Sequence, residues 1–353
     1  MIQFMDALKE ENELVFLNGN CKNILAWNIE TSGIRFAGCI DDNWMNAPMR
    51  RFFRYNGYYY LVSFAGLIIY KCSKKNGYYY GAVEYHDDSK KDIRLIDAFL
   101  ADHFIYLVPY NVNHDIICFD IETNRIIRSI SLLSHLELGR GEMLSDVHCY
   151  NGFIYFSVKG RNAIYRVNKN LTEADIYYQS NIMIGGFIFD DDVLWLRSEE
   201  GYSVNKINKD MTVCAYCEHT ISDIKYPETK GKIICIDHKP ILIPGTSGVI
   251  GYLNQNGIID NFTVTGNISL NEKYKNSIFS FGGIQVGNDY LIYPWRCSDL
   301  ILIDYANLIC KSIKIDFDGD FEKEYLRMHV KNEGIIFESQ DFSLDNYLKS
   351  FYS

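Results

Sequence analysis

The chain has 353 residues, of which 48% are hydrophobic and 15% aromatic, and its formal net charge is −10. A protein this acidic repels phosphate backbones, so the composition argues against nucleic-acid binding. No run approaches the roughly 18 apolar residues of a membrane-spanning helix, and 6 prolines are too few for long disordered linkers.

The cysteines and the amino-terminal stretch bear on the cellular compartment. Cys118, Cys149, Cys235 and Cys310 fall inside apolar runs typical of strands, not at the loop spacings of a disulfide framework. The first residues lack the basic start and apolar run of a signal peptide. We therefore expect reduced, buried thiols and a cytoplasmic protein.

The chain divides into groups of four short apolar runs, and the clearest group lies at residues 93–132. Runs such as 104–108 and 116–121 are too short for helices and rich in residues that favour strands. The unbroken apolar run 116–119 predicts a strand covered on both faces, whereas the mixed run 125–130 predicts an outer strand near solvent. A sheet of this kind needs copies of itself on either side to bury both faces.

In chain order, seven such groups follow one another. They span residues 3–40, 49–85, 93–132, 143–179, 182–217, 231–264 and 278–315. Similar turns recur between their runs. Asn56 and Asn151 each precede a glycine, a strong hairpin signal because both residue types tolerate positive φ. The segments 168–172 and 208–212 share the pattern Asn-Lys-x-x-Thr.

The spacing of about 40 to 50 residues between groups is typical of propeller repeats. Together with the double glycines that begin at Gly185 and Gly282, it resembles the kelch, WD40 and quinoprotein-type propellers. The resemblance is at the level of the fold, because the Trp-Asp endings of WD40 repeats and the Tyr and Trp pair of kelch repeats are absent. It implies an all-β protein, a β-propeller with seven four-stranded blades, or alternatively eight.

Residues 324–353 follow the seventh group. Two strand-like runs, 325–330 and 334–338, are expected to close the ring against the first blade or to begin an eighth. Ser343 can cap a short terminal helix. The apolar stripe of this helix is formed by Leu344, Tyr347, Leu348 and Phe351. The helix either seals one end of the ring or docks a partner protein.

Basic and aromatic residues gather in the loops that a propeller presents at one mouth of its channel. Arginine suits carboxylate or phosphate groups, and aromatic rings stack on sugars or peptide planes. The predicted ligand-binding residues are Trp44, Arg50, Arg51, Tyr110, Glu142, Lys159, Arg161, Arg197, Trp295 and Arg296. The alternative is that these arginines join neighbouring blades through ion pairs with Glu142, Asp146 and Glu199.

Two further motifs are weak signals of chemistry. Glu142, Asp146 and His148 could serve acid–base catalysis, but a polar lining of the channel accounts for them as well. Residues 316–320 alternate carboxylates like a calcium loop and then lack its glycine and its final glutamate. We therefore expect no metal site and no cofactor.

These patterns predict a non-catalytic propeller that binds a protein, a peptide, or a small anionic or saccharide ligand at its loop face. The alternative is a propeller hydrolase or lyase acting on a saccharide or small anionic substrate. An enzyme would need at least two converging ionisable groups with shifted pKa values at the channel mouth. A third possibility is an assembly scaffold that uses the sides of its blades and its terminal helix.

Overall fold

The computed structural model is almost entirely β-structure. It describes residues 4–18, 23–31, 33–40, 49–75, 77–199, 203–217, 232–243, 250–253, 259–265, 282–293 and 299–314. Within these residues, helix is limited to α1 (Leu132–His135) and a 3₁₀ turn at Asp88–Lys90. No helix among them is long and apolar enough to cross a membrane. The predicted ring-closing strands and terminal helix at 324–353 lie outside the described residues.

The strands follow one another in antiparallel meanders of four. The first meander holds β1 (Phe4–Glu10), β2 (Glu13–Asn18), β3 (Asn23–Asn28) and β4 (Ile34–Ile40). The second holds β5 (Met49–Tyr55), β6 (Tyr58–Ser63), β7 (Leu67–Lys75) and β8 (Tyr78–Asp87). The third holds β9 (Leu95–Ala101), β10 (Phe104–Pro109), β11 (Ile116–Asp120) and β12 (Arg125–Ile130). The fourth holds β13 (Leu144–Tyr150), β14 (Phe153–Val158), β15 (Ala163–Asn168) and β16 (Ala174–Gln179).

The later meanders have the same arrangement. The fifth holds β17 (Ile184–Asp190), β18 (Val193–Ser198), β19 (Val204–Ile207) and β20 (Val213–Cys217). The sixth holds β21 (Lys232–Ile236), β22 (Lys239–Ile243), β23 (Gly251–Leu253) and β24 (Ile259–Asn261), followed by the short strand β25 (Thr263–Thr265). The seventh holds β26 (Gly282–Val286), β27 (Asp289–Tyr293), β28 (Asp299–Asp304) and β29 (Ile309–Lys314).

Two parallel pairings join outer strands of neighbouring meanders. Gly38 of β4 pairs with Tyr79 of β8, which merges the first two meanders into one eight-stranded sheet. Likewise β25, which follows the sixth meander, pairs with β29 of the seventh. Both pairings cover strand edges that would otherwise expose unpaired backbone groups.

The burial of the third meander explains its sequence. Every residue of β11 is buried, which accounts for its unbroken apolar run. In β12, exposed residues alternate with less exposed ones until the buried Ile130, as expected of an outer strand.

The hydrophobic core lies between meanders and not within them. Each cluster of buried apolar side chains in the described part of the chain packs two neighbouring meanders together. One cluster joins the two ends of the described chain, because Leu14 and Phe16 pack with Leu291 and Leu300. Strand β26 also contacts β1. The sheets therefore close into a ring, and the fold is a β-propeller.

The Asn-Gly turns adopt the backbone that their sequence predicts. Asn56 and Gly57 have φ values of 47° and 77°, in the left-handed region that glycine and asparagine tolerate best. The repeated Asn-Lys-x-x-Thr segments also form matching turns. In both, the fourth residue donates its backbone N–H to the carbonyl oxygen of the initial asparagine, Asn168 or Asn208.

Candidate functional site

The first strands of successive meanders contact one another around the centre of the ring: β1 with β5, β5 with β9, β9 with β13, β13 with β17, β17 with β21, and β26 with β1. Each first strand ends in a tight hairpin, and the residue four positions before its end occupies an equivalent place. We call this set the channel ring. Its members are Asp6, Arg51, Asp97, Asp146, Gly186, Lys232 and Gly282.

Arg51 holds two carboxylates of the channel ring. Its Nε and Nη2 lie 2.5 and 2.8 Å from the two carboxylate oxygens of Asp97, and its Nη1 lies 3.3 Å from Oδ1 of Asp6. Burial would raise the pKa of Asp97, but the charge and hydrogen bonds of Arg51 hold it at about 2. Burial is the stronger influence on Asp6, whose pKa is raised despite Arg51. Asp6 Oδ2 also accepts a hydrogen bond from the backbone N–H of Phe52 at 2.9 Å.

Asp146 links the fourth and fifth meanders. Its Oδ2 lies 3.2 Å from Nε2 of His148 and accepts the backbone N–H of Phe187 at 3.0 Å. Its Oδ1 accepts the backbone N–H of Val147 at 3.0 Å. Burial opposes ionisation of this carboxyl, but His148, the backbone N–H of Phe187 and the charge of Lys232 lower its pKa. Asp146 and His148 thus lie together, whereas Glu142 pairs with Arg161. Their role as a polar lining of the channel stays a prediction.

Arg50 and Lys232 add positive charge to the same space. A register shift between Met49 and Arg51 makes Arg50 the extra residue of a β-bulge, a feature that redirects side chains. Burial lowers the pKa of Arg50, and Arg51 lowers it further, whereas Asp97, Asp6 and Asp146 raise it.

Lys232 comes from the sixth meander. Burial, followed by the neighbouring charges of Arg50 and Arg51, lowers its pKa to about 8, and Asp97 and Asp146 only partly oppose this. Groups from the second, third, fourth and sixth meanders therefore influence one another electrostatically across the channel.

Tyr290 of β27 borders the same cluster. Burial raises the pKa of its hydroxyl to about 12, with Asp6 acting in the same direction and Arg51 opposing it. A Cβ atom on Gly283 would lie 2.3 Å from the Tyr290 ring, so the glycine makes room for that ring.

The sequence-predicted ligand residues separate into different environments. Arg50 and Arg51 belong to the charged cluster around Asp97. Arg161 instead pairs with Glu142, whose Oε1 accepts its Nη2 at 2.7 Å. Lys159 and Tyr110 are exposed. Trp44, Trp295 and Arg296 lie outside the described residues.

Arg197 is 4% exposed and bonds to the backbone. Its Nη2 donates to Gly185 O at 2.9 Å and its Nη1 to Ser198 O at 3.2 Å. A Cβ atom on Gly185 would lie 2.7 Å from the Cα of Glu199, so only glycine fits beside this arginine. Glu199 in turn accepts the backbone N–H of Gly160 at 2.7 Å and so joins two meanders. A ligand-binding role for Arg197 stays a prediction.

Asp6, Asp97 and Lys232 were not predicted from the sequence. Each lies in an ordinary strand, and no local motif marks it. The signal that could have found them is positional, because counting back four residues from the end of each first strand gives the whole channel ring.

One group of side chains in the described part of the chain has the chemistry of a metal site. The possible ligand atoms of Asp190, Asp191 and His238 lie within 4.8 Å of one another at two neighbouring hairpin turns. His238 Nδ1 is 3.0 Å from Asp190 Oδ1 and 3.7 Å from Asp191 Oδ2. Asp191 and His238 are exposed, and such groups are common without a metal.

No protein-family model matches this chain, and no curated protein does. Among solved structures, the fold is similar to that of a streptogramin B lyase, with 12% identity and a TM-score of 0.60 over 84% of this chain and 91% of that chain. A catalytically inactive virginiamycin B lyase from Staphylococcus aureus with quinupristin is 14% identical, with a TM-score of 0.61, and the match covers 84% of this chain and 93% of that chain. Dihydro-heme d1 dehydrogenase NirN is 10% identical, with a TM-score of 0.52, and the match covers 84% of this chain and 62% of that chain. Identities this low support the β-propeller fold alone.

Proposed function

We propose that this propeller binds a small anionic ligand in its central channel, with Lys232 and Arg50 holding the anionic group. The observation that carries the proposal is the convergence of Arg50, Arg51 and Lys232, from two meanders, on one partly buried space. Clustered cations of this kind are typical of carboxylate and phosphate recognition.

Among the cations of the channel ring, Lys232 is the one whose charge the fold disfavours most clearly. Arg51 binds Asp97 at two points and Asp6 at a third. Burial lowers the pKa of Lys232 to about 8, the charges of Arg50 and Arg51 act in the same direction, and Asp97 and Asp146 only partly oppose this. A bound anion would offset that cost, so binding energy is available at this position.

Thermal denaturation with an anion panel tests the proposal. Acetate, succinate, sulfate, inorganic phosphate and glucuronate are suitable probes, since they differ in charge and shape. We expect at least one to raise the melting temperature of the wild type, and Lys232→Gln or Arg50→Gln to weaken its affinity by about tenfold or more.

The matched control is Lys209→Gln, because Lys209 is exposed and pairs with Asp192 at a hairpin turn away from the channel mouth. This variant should respond like the wild type. If no anion stabilises the wild type, or if all three variants respond alike, the proposed function is wrong.

A second candidate function is a lyase or hydrolase acting on a saccharide or small anionic substrate. The observation that favours it is the position of Lys232, with its pKa of about 8, in the same channel as the His148 and Asp146 pair. An amine with this pKa can accept a proton near neutral pH. The lyases with similar folds are consistent with this candidate at the level of the fold.

A turnover assay separates the two candidates. Wild type and Lys232→Gln would be incubated with oligo-uronates, neutral glycosides and a streptogramin B antibiotic, and the products analysed by mass spectrometry. Turnover that Lys232→Gln loses would establish an enzyme. Binding of an anion without turnover would favour the binding module.

We also propose that the complete ring has seven blades. Two observations support this proposal: the described residues supply seven meanders, and Leu14 of the first packs in the same buried cluster as Leu291 of the last. A crystal structure tests this, since an eighth blade would separate Leu14 from Leu291.

A further inference from the structure

A cavity of about 590 Å³ lies where the hairpin turns of the first two meanders meet, away from the loops at the channel mouth. Its walls are polar and carry both signs of charge. The lining residues include Glu10, Glu11, Asn12, Glu13, Arg54 and Lys74. The volume falls within the roughly 300 to 1,000 Å³ typical of small-molecule sites.

The carboxylates of this cavity are held in fixed positions. Glu10 accepts hydrogen bonds from the hydroxyls of Tyr59 and Tyr79, the latter at 2.5 Å, and from Lys74 Nζ at 3.2 Å. Glu13 accepts two hydrogen bonds from Arg35, at 2.8 and 2.6 Å, and these hydrogen bonds lower its pKa. Groups fixed in this way need little reordering when a ligand arrives.

The charges of the cavity are largely matched among themselves. Glu10 lies 3.2 Å from Lys74 and 3.7 Å from Arg54, and Glu13 pairs with Arg35. A free ion would therefore have to compete with existing ion pairs. A neutral molecule with many hydroxyl groups would instead add hydrogen bonds to charged donors and acceptors, which are stronger than those between neutral groups.

We propose that this cavity binds a neutral saccharide, independently of the anion site in the channel. Carboxylate oxygens of Glu10 and Glu13 accept from sugar hydroxyls, while Arg54 and Lys74 donate to hydroxyl and ring oxygens. Asn12 contributes a fixed side chain, because its amide nitrogen donates to Glu30 Oε1 at 3.0 Å. The Arg54 side chain is 63% exposed, so it has freedom to turn toward a ligand.

Saturation-transfer NMR is the test, with glucose, galactose, N-acetylglucosamine, maltose and lactose as probes. We expect at least one to receive saturation from the wild type. Arg54→Gln and Asn12→Ala should each weaken its affinity about fivefold or more.

Two control variants distinguish sugar binding in this cavity from binding elsewhere on the protein. Arg166→Gln removes a partly exposed arginine that also pairs with a carboxylate, Asp175, in the fourth meander, and it should bind sugar like the wild type. Lys232→Gln removes a cation from the proposed anion site in the channel, and it should also leave sugar binding unchanged.

Three outcomes would overturn the inference. The first is that no probe receives saturation from the wild type. The second is that Arg54→Gln and Asn12→Ala bind the sugar as the wild type does. The third is that Lys232→Gln abolishes the signal, which would place the sugar in the channel. If the wild type binds a sugar but none of the anions, only the proposed channel function is contradicted.

Discussion

Arg51 and Asp97 lie 46 residues apart and form a two-point ion pair that ties the first strands of the second and third meanders together. Asp97 is only 6% exposed, so removing its charge would leave the Arg51 guanidinium without its main partner in a partly buried setting. We expect Asp97→Asn to lower the free energy of unfolding by about 3 kcal/mol, measured by urea denaturation. Asp175→Asn, which breaks an exposed pair with Arg166, should cost less than about 1 kcal/mol. Equal effects of the two variants would contradict this interpretation.

The same ion pair predicts sensitivity to acid. The pKa of Asp97 is about 2 in the folded protein, below the value of about 3.9 expected in the unfolded chain. A carboxyl with a lowered pKa contributes stability above its unfolded pKa, and that contribution is lost as the pH falls from about 4 to about 2. The stability difference between wild type and Asp97→Asn should therefore shrink across this range. A difference that stays constant down to pH 2 would show that Asp97 is not held in its charged form.

The protonation of Lys232 predicts that the affinity for an anion changes at basic pH. Its ammonium faces Arg50, Arg51, Asp97 and Asp146, and burial with the two arginines sets its pKa at about 8. Sulfate keeps its charge in this region, so its affinity should fall as the pH rises through about 8 and Lys232 loses its proton. Lys232→Gln should bind weakly with no such dependence. A wild-type affinity that is flat from about pH 7 to 10 would remove Lys232 from the site.

Lys232 also affects folding. A base whose pKa is lowered in the folded state destabilises the fold where it is protonated, and this cost disappears as the pH rises from about 8 to its unfolded value. We therefore expect Lys232→Gln to be at least as stable as the wild type at pH 7. Thermal denaturation measures this, and a marked loss of stability would indicate a structural role instead.

The closure of the ring can be tested through its core. Leu291 is 1% exposed and packs against the first meander, whereas Leu107 is fully buried between the second and third. We expect Leu291→Ala and Leu107→Ala to cost similar amounts, roughly 2 to 5 kcal/mol each, because both interfaces belong to one closed body. Denaturation should remain a single transition in both variants. A loss below about 1 kcal/mol for Leu291→Ala alone would argue against closure at this interface.

The sequence predicts strands and turns well where local chemistry decides them. The predicted run 104–108 matches β10 (Phe104–Pro109), and 116–121 matches β11 (Ile116–Asp120), since short apolar runs between polar turns have few alternatives. The Asn56 turn follows from the tolerance of asparagine and glycine for positive φ. Each of these depends on a few adjacent residues.

The candidate site was harder to predict because it depends on contacts between distant strands. Arg50 and Arg51 were identified as basic residues near a predicted loop, but no sequence motif around Asp97 or Lys232 indicates a site. Their meeting depends on the register of separate hairpins and on the order of the meanders around the ring. Arg197 shows the converse, because only the fold reveals that it bonds to backbone carbonyls beside Gly185.

The most direct test of the channel site is anomalous diffraction from a crystal soaked in selenate, a tetrahedral dianion that selenium scattering locates. We predict an anomalous peak within hydrogen-bond distance of Lys232 Nζ and the Arg50 guanidinium, and its loss in a Lys232→Gln crystal soaked identically. A map in which selenate occupies only exposed surface positions, with no peak between Lys232 and Arg50, would contradict the proposal.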